Sequence, residues 1–340
     1  MAEVKKNIVV LIAETINKMN NTLQQLLSRA DELQAKLLEV RPMSEETIKS
    51  LREYYRIGLT YTSNALEGNS LTESETKVVV EDGLTVDGKP LREIYEATGH
   101  AHAYDYMRQL ATNLPLSEDI ICHLHRLFYQ QIDENKAGVY RTVPVFISGS
   151  QYAVVQTDKI AGEMAKLVEW YNKNEQKLHP ILLAAELHKR FVFIHPFIDG
   201  NGRVARLLMN FSLIRNEYNI ALIPAILRAE YIAALEKAHT DPEPLQQFIT
   251  ERVIATQTDL LRLLGGVNVE NGGVNGGVNE LSTLILNLLM TEPHIRAPYI
   301  AERLQCSLRT IQRTLKILTE QGLIKYKGAA KNGGYEIVEN

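Results

Sequence analysis

Apolar residues recur three and four positions apart over most of residues 1–260, and this spacing is the period of an amphipathic α-helix. The pattern predicts one or two helices over residues 1–40 and two more over 44–66 and 91–111. Residues 181–194 are apolar on almost every side, which is typical of a buried central helix, and a second mostly buried helix follows the next turn. The pattern therefore indicates a mainly helical fold.

Residues 142–155 break this helical pattern. Apolar and polar residues alternate there on both sides of Ser148, Gly149 and Ser150. Such alternation is the period of a half-buried strand, and the central residues favour a tight turn. We therefore predict a small β-hairpin in this segment.

A domain boundary is predicted over residues 265–280, where the tetrapeptide GGVN occurs three times and few residues are able to form a core. We interpret this stretch as a flexible linker. Residues 281–340 then show helices, a turn, a further helix and two short strands, which is the pattern of a winged helix-turn-helix domain. The remaining chain is interpreted as an N-terminal helical region over 1–110 and a core domain over 111–264.

Composition narrows the class of protein. With 45% hydrophobic and 23% charged residues, the 340-residue chain resembles an ordinary soluble globular protein. No stretch has the length of a membrane span, so no membrane partner is expected, and the two cysteines form no CxxC pair, so we expect a reducing, cytoplasmic compartment. The net charge of −4 argues against general nucleic-acid binding, although the C-terminal part from Glu280 carries a small positive excess.

Chemistry is concentrated in the turn HPFIDGNGRVAR, residues 195–206. Gly200 and Gly202 permit a backbone path that gathers N–H groups into one concavity, and the helix that begins near Arg203 adds free N–H groups and a positive dipole end. These features together predict a phosphate-type anion site.

Four side chains of the turn complete this prediction. Arg203 and Arg206 lie three residues apart, on one face of the first helical turn, and are placed to clamp phosphate oxygens. Asp199 is a carboxylate of the kind that holds Mg²⁺ beside phosphates. His195 is a candidate general base, since Pro196 turns it out of helical geometry and imidazole titrates near neutrality. Each residue alone has a structural explanation, but their coincidence within one short turn favours function.

This turn matches the Fic-family signature, His-x-Phe-x-Asp/Glu-Gly-Asn-Gly-Arg-x-x-Arg, at every defined position. The resemblance extends over roughly residues 50–250 and includes GVYR at 138–141 and the hairpin that follows. It implies a helical Fic core whose hairpin forms a flap (residues 142–155) over the site. It also implies transfer of AMP from ATP to a protein hydroxyl, on a target protein or on the chain itself.

The resemblance assigns a role to each residue of the motif. It implies that His195 is the general base, that Asp199 holds Mg²⁺ and that Phe197 anchors the loop in the core. It also implies phosphate contacts, with the α- and β-phosphates at Gly200, Asn201 and Gly202, the polyphosphate at Arg203 and the γ-phosphate at Arg206. The edge of the flap is expected to pair with an extended target segment, which brings a Ser, Thr or Tyr hydroxyl to the site.

A second stretch, TSNALEGNSLTESE at residues 62–75, reads as a helix that ends at Gly68, followed by a helix with the capping box Thr72 and Glu75. Beside a Fic core it resembles the family's inhibitory motif, Ser/Thr-x-x-x-Glu-Gly/Asn, with Ser63, Glu67 and Gly68 in register. The resemblance is to the class with an N-terminal inhibitory helix. It implies that Glu67 pairs with Arg206 in the γ-phosphate position.

Several alternatives remain open. The chain is also interpretable as a DNA-binding transcriptional regulator whose Fic-like domain senses nucleotide, although a sensor does not need His195. In that reading the winged helix faces a major groove, or else a protein partner, through Arg309, Gln312, Arg313 and Lys316. Transfer of another phosphate-containing group and removal of AMP are further variants. The N-terminal helices either pack on the core or form a homodimer seam.

Overall fold

The computed structural model describes residues 22–41, 43–110, 114–265, 281–282, 284–286, 288–289, 292–304, 306, 308–320, 323–328 and 333–338. These residues fall into two compact units that divide between Thr258 and Asp259, within a helix. The predicted linker lies outside the described residues except for Gly265, and the predicted division into four parts stays a prediction. The fold is mainly α, as the apolar pattern predicted.

The first unit is built from helices, most of them joined by short loops, while residues 130–159 form a longer connection that includes the flap. They are α1 (22–39), α2 (Glu45–Ala65), α3 (Glu73–Glu81), α4 (Leu91–Leu110), α5 (Glu118–Tyr129), α6 (Ile160–Asn174), α7 (Pro180–Ile194), α8 (Asn201–Arg215), α9 (Arg228–Lys237) and α10 (Glu243–Leu263).

Helix starts follow from local sequence. Ser44 and Ser117 cap α2 and α5 by accepting an N–H of the first turn. At α3 the Thr72 side chain accepts the Glu75 N–H, and the Glu75 carboxylate accepts the Thr72 N–H at 2.7 Å. The predicted capping box is thus confirmed.

The core centres on α7 and α8, which pack against each other. Leu187, Phe191, Leu207 and Phe211 from these helices are fully buried. The prediction of two buried central helices is therefore confirmed, and the turn between them is held at both ends by buried helices.

The second unit contains helical residues at 281–282, 284–286 and 288–289 (α11), then α12 (Ala297–Arg303) and α13 (Leu308–Glu320). Strands β1 (Ile324–Lys327) and β2 (Gly334–Ile337) pair antiparallel, with Ile324 opposite Ile337. This order of elements is the predicted winged helix-turn-helix. On α13, Ile311 and Leu315 are buried while Gln312, Arg313 and Lys316 are exposed. The side chain of Arg309 lies outside the described residues.

The flap differs from its prediction. Residues 142–155 reverse direction at a turn closed by the Ser150 N–H and the Ile147 carbonyl, but they form no paired strands. The reason lies at the base of the flap, where the buried Arg141 guanidinium binds the carbonyls of Val143 and Val155 that a ladder would use. A two-stranded hairpin alone is only marginally stable, so side-chain contacts of this kind are able to replace it.

No helix among the described residues is long and apolar enough to cross a membrane.

Candidate active site

The turn after α7 begins at His195, which adopts a left-handed backbone conformation with φ 53° and ψ 59°. The His195 N–H still bonds to the Phe191 carbonyl at 3.0 Å, so the residue ends the helix and reverses the chain. Pro196 follows, and α8 starts at Asn201. The candidate base thus lies at the mouth of a short loop between two buried helices.

Asn201 fixes the shape of this loop. Its amide accepts the Phe197 N–H at 2.9 Å and donates to the Phe197 carbonyl at 2.8 Å. The Phe197 ring is fully buried and stacks on His125 with a centroid distance of 3.8 Å. The Asn201 side chain is thus engaged within the loop, which leaves its main-chain N–H to serve in the predicted phosphate cradle.

His125 fastens the loop from the side of α5. Its Nδ1 accepts the Gly138 N–H at 2.8 Å, so the neutral ring carries its proton on Nε2 and donates to the Asp199 carbonyl at 3.1 Å. Burial lowers the pKa of His125 to about 4, which keeps the ring neutral. His125 therefore has a structural role in holding the loop.

The N-terminus of α8 requires glycine at two positions. Gly200 has φ 78°, and a Cβ there would lie 2.7 Å from the Phe128 ring. A Cβ at Gly202 would lie 2.2 Å from a carboxylate oxygen of Glu67. The N-cap residue of α8 is Gly200, which has no side chain to cap the helix, so the first-turn N–H groups and positive dipole end are available to an anion.

His195 has the tautomer that the predicted general base requires. Its Nδ1 lies 3.3 Å from the Val192 carbonyl, which only accepts, so Nδ1 carries the proton and Nε2 keeps a lone pair. Burial lowers the pKa of the imidazole, and the charge of Arg141 adds to this effect against opposing contributions from Glu67 and Asp199. The ring is therefore neutral at neutral pH.

Asp199 belongs to a closed ring of ion pairs. Its Oδ2 lies 2.6 Å from Arg92, and its Oδ1 accepts the Gly200 N–H and lies 3.2 Å from Arg203. Glu96 closes the ring through Oε1, which is 3.3 Å from Arg92 and 3.0 Å from Arg203. Two carboxylates and two guanidinium groups thus neutralise one another at the start of α8.

Arg206, by contrast, is held by residues of the predicted inhibitory motif. The fully buried guanidinium donates to the Ser63 hydroxyl at 2.9 Å, to the Ser63 carbonyl at 2.8 Å and to Glu67 at 2.7 Å. Gly68 follows with φ 94°. The sequence predicted a helix that ends at Gly68, with Glu67 in its last turn. In the structure α2 ends at Ala65, so Glu67 lies in the turn after the helix.

The charges of this pair stabilise each other. Burial opposes the ionised form of Glu67, but Arg206 and Arg203 lower its pKa below the ordinary 4.5. Burial likewise opposes the charge of Arg206, whereas Glu67 and Tyr231 raise its pKa. Both groups are therefore ionised at neutral pH, and the pair is a charge-assisted hydrogen bond.

Arg92, Glu96 and Tyr231 were missed by the sequence analysis. The Tyr231 hydroxyl contacts Arg206 and lies 2.8 Å from His188 Nε2, while Arg92 and Glu96 project from α4 toward the turn. The one local signal in the sequence is the charged pair of Arg92 and Glu96 at i and i+4 of a helix, and many surface helices carry such a pair.

Comparison with known proteins assigns this arrangement to a family. A family model described as Fic/DOC family matches residues 115–213, and one described as an HTH domain matches residues 281–336. Protein adenylyltransferase Fic from Nematostella vectensis is 35% identical over 68% of this chain and 55% of its own length. Protein adenylyltransferase fic-1 from Caenorhabditis briggsae is 30% identical over 67% of this chain and 45% of its own length. The chain therefore spans about half the length of these curated relatives.

Solved structures agree with these matches. A Fic domain containing signaling protein from Bacteroides thetaiotaomicron aligns over 71% of this chain and 100% of its own, with a TM-score of 0.66 and 29% identity. A fragment of Fic-1 from C. elegans aligns over 76% of this chain and 78% of its own, with a TM-score of 0.68 and 27% identity. The turn at residues 195–206 lies inside the matched Fic/DOC range. The chain is therefore a Fic/DOC family protein that carries a C-terminal HTH domain.

Proposed function

We propose that this protein is an autoinhibited protein adenylyltransferase, which transfers AMP from ATP to a Ser, Thr or Tyr hydroxyl of a target protein or of itself. One observation carries the proposal. The carboxylate of Glu67 sits on Gly202 at the uncapped start of α8 and pairs with Arg206 at 2.7 Å. A negative group thus occupies the part of an anion site where a terminal phosphate would bind.

Phosphate binding is supported by donors of the turn. The first-turn N–H groups of α8, at Asn201 and Gly202, are proposed to bind the α- and β-phosphates. Arg203 is buried, and its Nε has no hydrogen-bond partner among the described residues, so a donor remains for the polyphosphate. Arg206 takes the γ-phosphate once Glu67 has left.

His195 provides the chemistry of the acceptor. Its Nε2 lone pair takes the proton of the incoming hydroxyl, whose oxygen then attacks the α-phosphorus in line. The bond from the α-phosphorus to the bridging oxygen breaks, and pyrophosphate leaves on the arginines and the helix N-terminus. Because the Nδ1 proton is held by Val192, the ring presents the same nitrogen to each substrate.

Mg²⁺ fits this site as a partner of the nucleotide. The side chain of Asp199 is 36% exposed, and Mg²⁺ in phosphate sites commonly takes one or two carboxylates with its remaining ligands from phosphate and water. Bound there, Mg²⁺ would neutralise charge on the phosphates, and Asp199 must first part from Arg92.

The flap is proposed as the docking place for the target. Its backbone groups are not used in a strand pair, and Phe146 at its turn is 93% exposed. An extended segment is able to add to such a backbone without a strict requirement for sequence.

Within this proposal the chain acts in the cytoplasm, where Cys122 and Cys306, both free thiols, stay reduced.

The test uses ATP labelled on the α- or the γ-phosphate, with Mg²⁺ and cell lysate. Glu67→Gly is expected to incorporate α-label into itself or a target more strongly than wild type, and His195→Ala in the same background is expected to incorporate none. Glu73→Gly and His179→Ala are matched controls, since both side chains lie outside the turn and the inhibitory pair. Incorporation of γ-label alone would indicate another phosphate-containing group, and His195-independent labelling would contradict the proposal.

DNA binding by the second unit is a second candidate, favoured by the exposure of Gln312, Arg313 and Lys316 on α13 and by the HTH match. A gel shift that weakens with salt and is lost in Arg313→Ala would support it, because phosphate contacts release counterions. A complex that is insensitive to both changes would indicate a protein partner instead. A homodimer, one of the two alternatives for the N-terminal helices, is tested by light scattering of the full chain.

A further inference from the structure

Arg141 joins the flap to the candidate base. Its Nε donates to the His195 carbonyl at 2.8 Å, and its two terminal nitrogens donate to the carbonyls of Val143 and Val155. Its own N–H bonds to the Pro196 carbonyl at 2.8 Å. Arg141 as a residue is only 5% exposed, and burial lowers the pKa of its guanidinium, so these carbonyls compensate the buried charge.

A second set of contacts holds the turn of the flap, to α9 and through His239 to α7. The Glu236 carboxylate, at the end of α9, accepts the Ser150 hydroxyl at 2.9 Å and the Gln151 N–H at 2.7 Å. The Tyr152 ring stacks on His239 at 3.8 Å. His239 in turn stacks on Phe193 at 3.6 Å, two residues before His195. The flap is therefore fastened at its base and at its turn.

The backbone of His195 needs such a restraint. A non-glycine residue in the left-handed region is strained and persists only where its surroundings hold it. The bond from Arg141 to the His195 carbonyl is charge-assisted, and the planar fork of arginine reaches several acceptors at once. Lysine offers a single point charge and does not reproduce this arrangement.

We infer that Arg141 is a positioning residue that holds the His195 backbone and both ends of the flap in one arrangement, so that target docking and the base are set together. This inference rests on the proposed function. Arg141 touches none of the groups proposed to bind ATP, so its loss should impair the transfer step rather than nucleotide binding. A misplacement of about 1 Å at a reacting group costs roughly 100-fold in rate.

The experiment compares Arg141→Gln and Arg141→Lys in the Glu67→Gly background. Arg215→Gln is the matched control, because Arg215 also ties a loop, through Glu175 and the Leu114 carbonyl, but away from the flap. The measured quantities are the self-labelling rate at saturating ATP, the ATP concentration at half-maximal rate, and amide hydrogen exchange over residues 142–155 and 195–197.

Both Arg141 variants are expected to lose about 100-fold in maximal rate with a half-saturating ATP concentration close to that of the parent. Exchange is expected to rise in the flap and at 195–197 together, and lysine is not expected to rescue either readout. An unchanged rate, a change in ATP dependence alone, rescue by lysine or faster exchange confined to the flap would overturn the inference. If the Glu67→Gly parent labels nothing, the proposed function fails, and the exchange data still decide whether Arg141 couples the two segments.

Discussion

A carboxylate oxygen of Glu67 lies 2.7 Å from a terminal nitrogen of Arg206, across 139 residues of sequence. The arginine is fully buried, and Ser63 binds it from the same helix end that carries Glu67. The candidate phosphate site is thus closed by a residue of the chain itself. Release of Glu67 is the step that the account requires before ATP binds productively.

The ion pair predicts how inhibition depends on pH. The pKa of Glu67 is lowered from 4.5 in the folded protein, so the stabilisation is present above that value and is lost as the pH falls through the folded pKa. Inhibition should therefore be constant between about pH 6 and 8. The measurement is the ratio of labelling rates of Glu67→Gln and wild type, and a ratio that falls toward one within this window would contradict the ionised pair.

The pKa of His195 predicts how the labelling rate depends on pH. Burial and Arg141 lower the pKa of His195 below 6.5, while Glu67 and Asp199 raise it. Removal of Glu67 takes away one raising influence, so the acidic limb of the rate profile in Glu67→Gly should lie below pH 6.5. The pH dependence of the labelling rate at ATP concentrations far below saturation checks this, because that rate reports groups of the free enzyme, and an acidic limb above pH 7 would contradict His195 as the titrating base.

Arg92 should compete with metal for Asp199. Its guanidinium lies 2.6 Å from Asp199 Oδ2 and is half exposed, so it is able to swing away. Arg92→Met is expected to tighten Mn²⁺ binding in the presence of an ATP analogue by a few fold, measured by calorimetry. Arg190→Met is the control, because Arg190 pairs with Glu186 on α7. Weaker metal binding in Arg92→Met would instead indicate that Arg92 supports the site.

Asn201 should matter for stability as well as for the site. Asn201→Ala removes two hydrogen bonds to Phe197, and at about 1 kcal/mol each it is expected to lower the free energy of unfolding by about 2 kcal/mol. Asn172→Ala, which removes one bond to the Leu116 carbonyl, should cost about half as much. Denaturant titration measures both, and equal costs would show that the loop is not held by Asn201.

Local signals in the sequence predicted local structure well. The Thr72 and Glu75 capping box and the buried helices α7 and α8 follow from residues close together in the chain. The pairing of Glu67 with Arg206 came from the family resemblance, and the structure brings the two together. The roles proposed for the residues of the turn stay predictions.

The contacts that the sequence did not predict join distant segments. Arg92 and Glu96 reach Asp199 and Arg203 only because α4 packs on α8. The alternation of apolar and polar residues in the flap predicted paired strands. In the structure the buried Arg141 side chain binds the carbonyls of Val143 and Val155 instead. Such long-range side-chain competition leaves no periodic signal in a single sequence.

The central claim is that Glu67 inhibits by occupying Arg206, and a double-mutant cycle tests it most directly. The measurement is the rate of α-label incorporation by wild type, Glu67→Gly, Arg206→Ala and the double variant at one ATP concentration. We predict that Glu67→Gly raises the rate about tenfold or more, as expected for loss of a charge-assisted hydrogen bond, and that it has no effect once Arg206 is alanine. An equal stimulation by Glu67→Gly in both backgrounds would contradict the account.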